Sequence, residues 1–246
     1  MLTTHAPASS ATFPQDVPAA KRRTPRTRVL IIDSHPIVRA GLRQIIESEE
    51  DMLVCAEADT LADARSAIRA SGPDVIIADI TLKRGDGMDL VRDVRAHHPQ
   101  LPILVLSGCD EAIYAERLLS VGASGYMTKQ ASTAQIVISL RQVIGGGISV
   151  SEAVGDQMIR GMTSSVRRQA ANPVDRLSTR EVQVLHMIGR GMSTRETAAS
   201  LNLSVKTIES HRQRIKNKLN LQTGIQLVQY AINWFAAADG RAGAAA

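Results

Sequence analysis

Four polar side chains stand where apolar runs of the chain stop. Asp33 closes "RVLIID", Asp79 closes "DVIIAD", Ser107 closes "PILVLS", and Lys129 follows "GYM". An apolar strand that ends in an acid delivers a carboxylate to the edge of a parallel sheet. Ligands of such sheets bind beyond the carboxyl ends of the strands, so two carboxylates, a hydroxyl and an ammonium would converge on one crevice. A second set lies in "SVKTIESHRQRIKNKL" (204–219). At 100° per residue, Lys206, Ser210, Gln213 and Asn217 share a face that Glu209 and Arg214 flank. Amides and carboxylates discriminate base edges, while lysine and arginine serve phosphates or guanine.

The surrounding patterns supply elements to position these groups. The runs at 28–33, 52–57, 74–79, 102–107 and 125–127 alternate with helical patterns at about 36–48, 60–70, 87–97, 111–121 and 132–145. Five strand-then-helix repeats imply a parallel sheet covered on both faces. Gly145, Gly146 and Gly147 end the fifth helix, and the polar stretch that follows reads as a linker.

From residue 176 the pattern is purely helical. "LSTRE" (177–181) and "MSTRE" (192–196) each place a serine three residues before a glutamate, the capping-box signature of a helix start. A third helix spans about 204–219 and a fourth about 223–236. Two short helices, a tight "LNLS" turn and a longer basic helix predict a helix-turn-helix. Val205, Ile208, Ile215 and Leu219 form its expected buried stripe. His211 borders that stripe as a packing or phosphate-contact residue, and Thr194 and Arg195 open the preceding helix, where backbone N–H groups and a cation can grip a phosphate.

Charge is distributed unevenly. Residues 176–220 hold nine basic and three acidic side chains, and residues 1–28 hold five and one, so the rest of this +5 chain is net acidic. An acidic body on a basic module fits a sensor attached to a polyanion-binding unit. Aromatic residues are only 2% of the chain, which argues against base-stacking platforms for single strands. No apolar run approaches the roughly 18 residues of a membrane span. Cys55 and Cys109 lie far apart without metal-type spacing, so reduced thiols and a cytoplasmic location are expected.

"LSTREVQVLHMIGRGMSTRETAASLNLSVKTIESHRQRIKNKL", with "GLRQII", "PDVIIADI", "DGMDL", "LSG" and "GASGYMTK", closely resembles two-domain response regulators of the NarL/FixJ type, which carry a LuxR-type helix-turn-helix. The resemblance implies an α/β fold: a flavodoxin-like, doubly wound, parallel five-stranded receiver joined to an all-α four-helix domain. The expected divisions are a disordered basic tail (1–26), receiver (27–147), linker (148–174), DNA-binding domain (175–238) and disordered tail (239–246).

By that resemblance Asp79 is the phosphoacceptor, served by a sensor histidine kinase or phosphotransfer protein. Mg²⁺ would be held by Asp33, Asp79 and the Thr81 carbonyl. Ser107 and Lys129 would bind the phosphoryl oxygens, and Tyr126 would switch rotamer. Phosphoryl transfer is mostly positioning and charge neutralisation, which suits these groups. The partner is duplex DNA, contacted through Thr194, Arg195, Lys206, Thr207, Glu209, Ser210, Arg212, Gln213 and Arg214. Ile225, Val228, Ile232 and Trp234 would pair two copies into a homodimer; the alternative is that they close the domain's own core. In the family's usual logic the receiver masks the effector until phosphorylation releases it.

Two departures stand out. Ser34 occupies the position where the family usually has a second acid, which should weaken Mg²⁺ binding. Lys83 stands where proline is usual, so Lys83 or Arg84 is expected to add positive charge near the phosphoryl site. A phosphorylation-independent regulator is therefore the alternative reading. An aspartyl-nucleophile phosphatase of the haloacid-dehalogenase type would want a second acid two residues after Asp79, where Thr81 stands, so no enzyme is expected.

Overall fold

A computed structural model of the chain describes residues 26–82, 86–163 and 173–242. Lys83, Arg84 and the basic tail up to residue 25 lie outside the described residues. Five parallel strands, β1 (Thr27–Ile32), β2 (Met52–Ala58), β3 (Val75–Ala78), β4 (Ile103–Ser107) and β5 (Gly125–Thr128), pair in the order β2-β1-β3-β4-β5. They alternate with α1 (Pro36–Glu47), α2 (Leu61–Ser71), α3 (Gly87–His97), α4 (Glu111–Ser120) and α5 (Thr133–Ile144).

Alternate strand residues point to opposite faces. Val29, Ile31, Val75, Ile77 and Leu104 therefore pack with α1 and α5, while Leu30, Ile32, Ile76, Ile103 and Val105 pack with α2, α3 and α4. The strand order reverses between β1 and β3, which pair Ile32 with Ala78 and so set Asp33 and Asp79 side by side. Between β3 and α3 the Gly87 N–H donates to the Ile80 carbonyl at 3.1 Å, and a Cβ on Gly87 would collide with the Ile80 backbone. That close approach accounts for the glycine of "DGMDL".

The segment read as linker is not featureless. Tyr126 and Ser149 are joined by a backbone hydrogen bond of 2.8 Å beyond the fifth strand, and α6 (Glu152–Thr163) packs on α4 with Val154 buried. A 3₁₀ turn at Pro173–Arg176 then leads into α7 (Thr179–Gly189), α8 (Thr194–Ser200), α9 (Val205–Leu219) and α10 (Gly224–Ala242). The last helix thus runs into the segment expected to be a disordered tail.

Both predicted capping boxes are formed, at Ser178–Glu181 and Ser193–Glu196. Asn220, at φ 57°, ends α9 in the left-handed conformation that asparagine tolerates. One apolar cluster runs without a break from the α2–α4 face of the sheet through Val174 and Leu177 to Val182, Leu185, Ile208 and Leu227.

Candidate functional site

The crevice forms as the strand ends dictate. Asp33 and Asp79 are both buried, and the Lys129 ammonium bridges them, 2.6 Å from Asp33 Oδ2 and 2.7 Å from Asp79 Oδ2. Burial works against the charge of Lys129, but the Asp79 and Asp33 carboxylates outweigh it and hold its pKa above the ordinary lysine value. The Thr81 N–H donates to Asp79 Oδ1 at 3.0 Å. The Ser107 hydroxyl is fully buried and accepts from the Cys109 N–H at 3.3 Å. Tyr126 points inward, its hydroxyl donating to the Cys109 carbonyl at 2.8 Å, and burial pushes its pKa up. Asp33, Asp79, Ser107 and Lys129 are thus gathered as read.

Around the missing acid the picture differs from expectation. The Ser34 hydroxyl donates to the Thr81 carbonyl at 3.1 Å, so the carbonyl expected to face a metal already serves as an acceptor. His35, whose side chain makes no helix-capping bond, turns back on Asp33: its Nδ1 lies 3.0 Å from Asp33 Oδ1, and its backbone N–H donates to the same oxygen at 2.7 Å. Asp33, His35 and Asp79 each present a ligand atom, all within 4.8 Å of one another. Mg²⁺ takes a near-octahedral shell of oxygens. The residues present offer it two carboxylates, and the third group beside them is an imidazole.

The loops that leave this crevice also hold the C-terminal helices, a function the sequence reading missed. The Asp86 carboxylate caps α3 by accepting from the Met88 N–H at 2.9 Å. It also accepts from the Thr179 N–H at 2.6 Å and from the Thr179 hydroxyl at 2.5 Å, so one side chain serves two helix starts in two domains. The Gln183 amide reaches from α7 to Thr81 Oγ1 at 3.4 Å and to Cys109 Sγ at 2.8 Å. Arg117 of α4 donates to the Val174 and Leu177 carbonyls. The only sequence signal was Asp86 before "GMDL", which reads as a cap for its own helix.

The basic helix presents the expected face to solvent. Lys206, Glu209, Ser210, Gln213 and Arg214 are exposed, as is Arg195 at the start of α8, while Thr194, Thr207 and Arg212 are half-buried. Thr207 is tied to the capping Ser204 at 2.8 Å, and Gln213 donates to Asn217 one turn on at 3.0 Å. Ile208 and Ile215 are fully buried beneath, but Val205 stands exposed at the first turn, contrary to the stripe as read. Burial, with Arg214 adding to it, holds the His211 imidazole below its ordinary pKa, so it packs as a neutral ring at pH 7. Lys218 pairs with the buried Glu181 at 2.7 Å and fixes α9 against α7.

Ile225, Val228 and Ile232 form an exposed apolar stripe on α10. Trp234 does not join them: it is half-buried and meets His186 edge-on, with ring centroids 6.5 Å apart. Among the described residues, the polar face of α9 is open to solvent while α7 sits on the receiver.

Comparison with known proteins assigns both parts of the chain to families. Residues 29–141 match the response regulator receiver domain family, and residues 175–231 match the bacterial regulatory proteins of the luxR family. The response regulator GacA of Pseudomonas aeruginosa is 31% identical over 205 residues, spanning 83% of this chain and 95% of GacA. The oxygen regulatory protein NreC of Staphylococcus aureus is 31% identical over 209 residues, spanning 83% of this chain and 96% of NreC. Among solved structures, RcsB of Salmonella enterica serovar Typhimurium, bound to promoter rprA in the presence of phosphomimetic BeF₃⁻, is similar with a TM-score of 0.54 and 27% identity, over 84% of this chain and 98% of RcsB.

Proposed function

The chain belongs to the bacterial response regulators that join a receiver domain to a luxR-family DNA-binding domain, and from that membership we infer a cytoplasmic transcription regulator set by phosphorylation of Asp79 from a sensor histidine kinase or phosphotransfer protein. The observation that carries this reading is Lys129 bridging Asp33 and Asp79 beside Ser107, at the point where the strand order reverses. A bound divalent cation, held by Asp33 and Asp79 and in this family usually Mg²⁺, would supply charge neutralisation to the transferring phosphoryl group.

Phosphorylation adds about −1.5 to −2 charge, which Lys129 and the Ser107 hydroxyl are placed to receive. Recruiting Ser107 withdraws the oxygen that the Cys109 N–H uses. Thr81 and Cys109 then shift beneath Gln183, and α7 loses its seat. Freed of that seat, two effector domains pair through Ile225, Val228 and Ile232 on a two-fold DNA site.

Incubation with a divalent cation and a small phosphodonor, beside an Asp79→Ala control, tests the reading by phosphate-retarding electrophoresis. The expected result is a retarded species absent from the control and tighter DNA binding by the same sample. No retarded species with either the phosphodonor or the cognate kinase, and unchanged DNA binding, would favour the phosphorylation-independent regulator, a reading that neutral Ser34 supports.

On the DNA side, Gln213→Ala is expected to cost about 1–3 kcal/mol on a specific site, as for one lost bidentate base contact. It should cost little on random sequence. Lys206→Ala should weaken both alike and lower the salt slope by about 1. Retention on duplexes titrated across salt concentrations measures both effects.

A further inference from the structure

The position after the first acid fixes what kind of ion the crevice can hold. Ser34 brings no charge, and its hydroxyl lies 3.1 Å from the Thr81 carbonyl and 3.3 Å from His35 Nδ1. His35 fills the gap from the other side. Its backbone is extended (φ −101°, ψ 113°) and Pro36 starts the helix immediately after it, so the imidazole is free of capping duty. It lies instead against Asp33 Oδ1, while Lys129 engages the Oδ2 atoms of both carboxylates. One nitrogen and two carboxylate oxygens thus lie within 4.8 Å of one another. Hard Mg²⁺ takes oxygen ligands and keeps several waters. Imidazole suits first-row transition metals such as Fe²⁺, Ni²⁺ and Zn²⁺, and the two carboxylates admit Mn²⁺ as well.

We propose that Asp33, His35 and Asp79 form a mixed nitrogen–oxygen site for a divalent transition-metal ion, with His35 as the ligand that replaces the missing acid. The inference rests on the reading that this carboxylate pair holds a cation, and it names the class of that cation. His35 lies half in solvent, so its imidazole can swing from Asp33 Oδ1 to an ion without disturbing the fold.

The test uses the full chain, stripped with chelator and given no phosphodonor, so that it stands apart from phosphorylation. Mn²⁺ and Mg²⁺ are titrated calorimetrically into the native protein, His35→Ala and Ser34→Asp, and pulsed electron paramagnetic resonance is recorded on the Mn²⁺ complexes. Native protein should bind Mn²⁺ more tightly than Mg²⁺ and show a directly coordinated nitrogen. His35→Ala should lose the nitrogen signal and at least about tenfold in Mn²⁺ affinity, the lower end of what even outer-shell partners contribute, with Mg²⁺ affinity unchanged. Ser34→Asp should raise Mg²⁺ affinity and narrow the preference.

An Mn²⁺ complex without coordinated nitrogen would overturn the proposal. So would a His35→Ala variant that binds Mn²⁺ as the native protein does. Nitrogen-coordinated Mn²⁺ in a protein that no donor phosphorylates would leave the metal site standing and remove the phosphorylation reading instead.

Discussion

A Lys129→Met variant is expected to lose about 3–5 kcal/mol of stability at neutral pH, the usual cost of removing one partner from a buried ion pair. Lys129 is the cation that bridges two buried carboxylates, and methionine keeps its length while leaving Asp33 and Asp79 facing each other. Urea unfolding in the presence of chelator measures the loss. A divalent cation at about 100 times its Kd should return about 2.7 kcal/mol, because it binds only the folded state. The gap between native and variant should persist across neutral pH. Since Lys129's folded pKa is raised, its contribution is fully present below the ordinary lysine range and fades as pH climbs through the raised value. A loss under about 1 kcal/mol would mean that the two carboxylates are solvated and that the bridge contributes as little as a surface pair.

The second large effect belongs to Asp86. Asp86→Ala removes the cap of α3 and the acceptor for Thr179, and should cost about 0.5–2 kcal/mol at the start of α3 and about 1.5–3 kcal/mol for the charged acceptor lost to Thr179. It should also separate the domains, seen as a larger radius of gyration in solution scattering and as new protease cleavage at Pro173–Arg176. Thr179→Val distinguishes the two roles, because it removes the hydroxyl but keeps the backbone N–H. It should loosen the domains while leaving the receiver's own stability unchanged. If Asp86→Ala stays as compact as the native chain, the clamp is a passive contact, and the apolar cluster alone holds α7 in place.

Strand ends and helix caps carried most of what could be read in advance. Asp33, Asp79, Ser107 and Lys129 were identifiable because an apolar run fixes where its strand stops, and parallel order does the rest. Ser178 and Ser193 were identifiable because a capping box is purely local. The features that escaped depend on distant partners. Helix α6 carries Gly155 and Gly161, so its own propensity is weak, and it gains order by packing on α4.

Asp86 already had a sufficient local purpose, so nothing in the sequence announced a second one. Val205 fits the buried stripe by angle, yet it stands exposed at the start of α9 while Ile208, three residues on, is buried. Trp234 is separable from the exposed Ile225 stripe by spacing alone: it lies nine residues from Ile225, two and a half turns, and so on the opposite side of the helix. The turn of His35 toward Asp33 follows from the extended backbone just before α1, and no pattern in the sequence marks it.

The apolar cluster that passes from the sheet into the effector without a break has a consequence for modularity. Two domains so joined are expected to melt as one cooperative body, seen in calorimetry as a single transition. A chimera that sets this effector on a foreign receiver would leave the Val174 and Leu177 carbonyls without Arg117 of α4 and would open the apolar cluster where it meets the receiver. Such a chimera should be sticky in solution even with both halves correctly folded. This output domain is fitted to its own receiver, and its specificity begins at that internal seam, before any kinase or promoter is met.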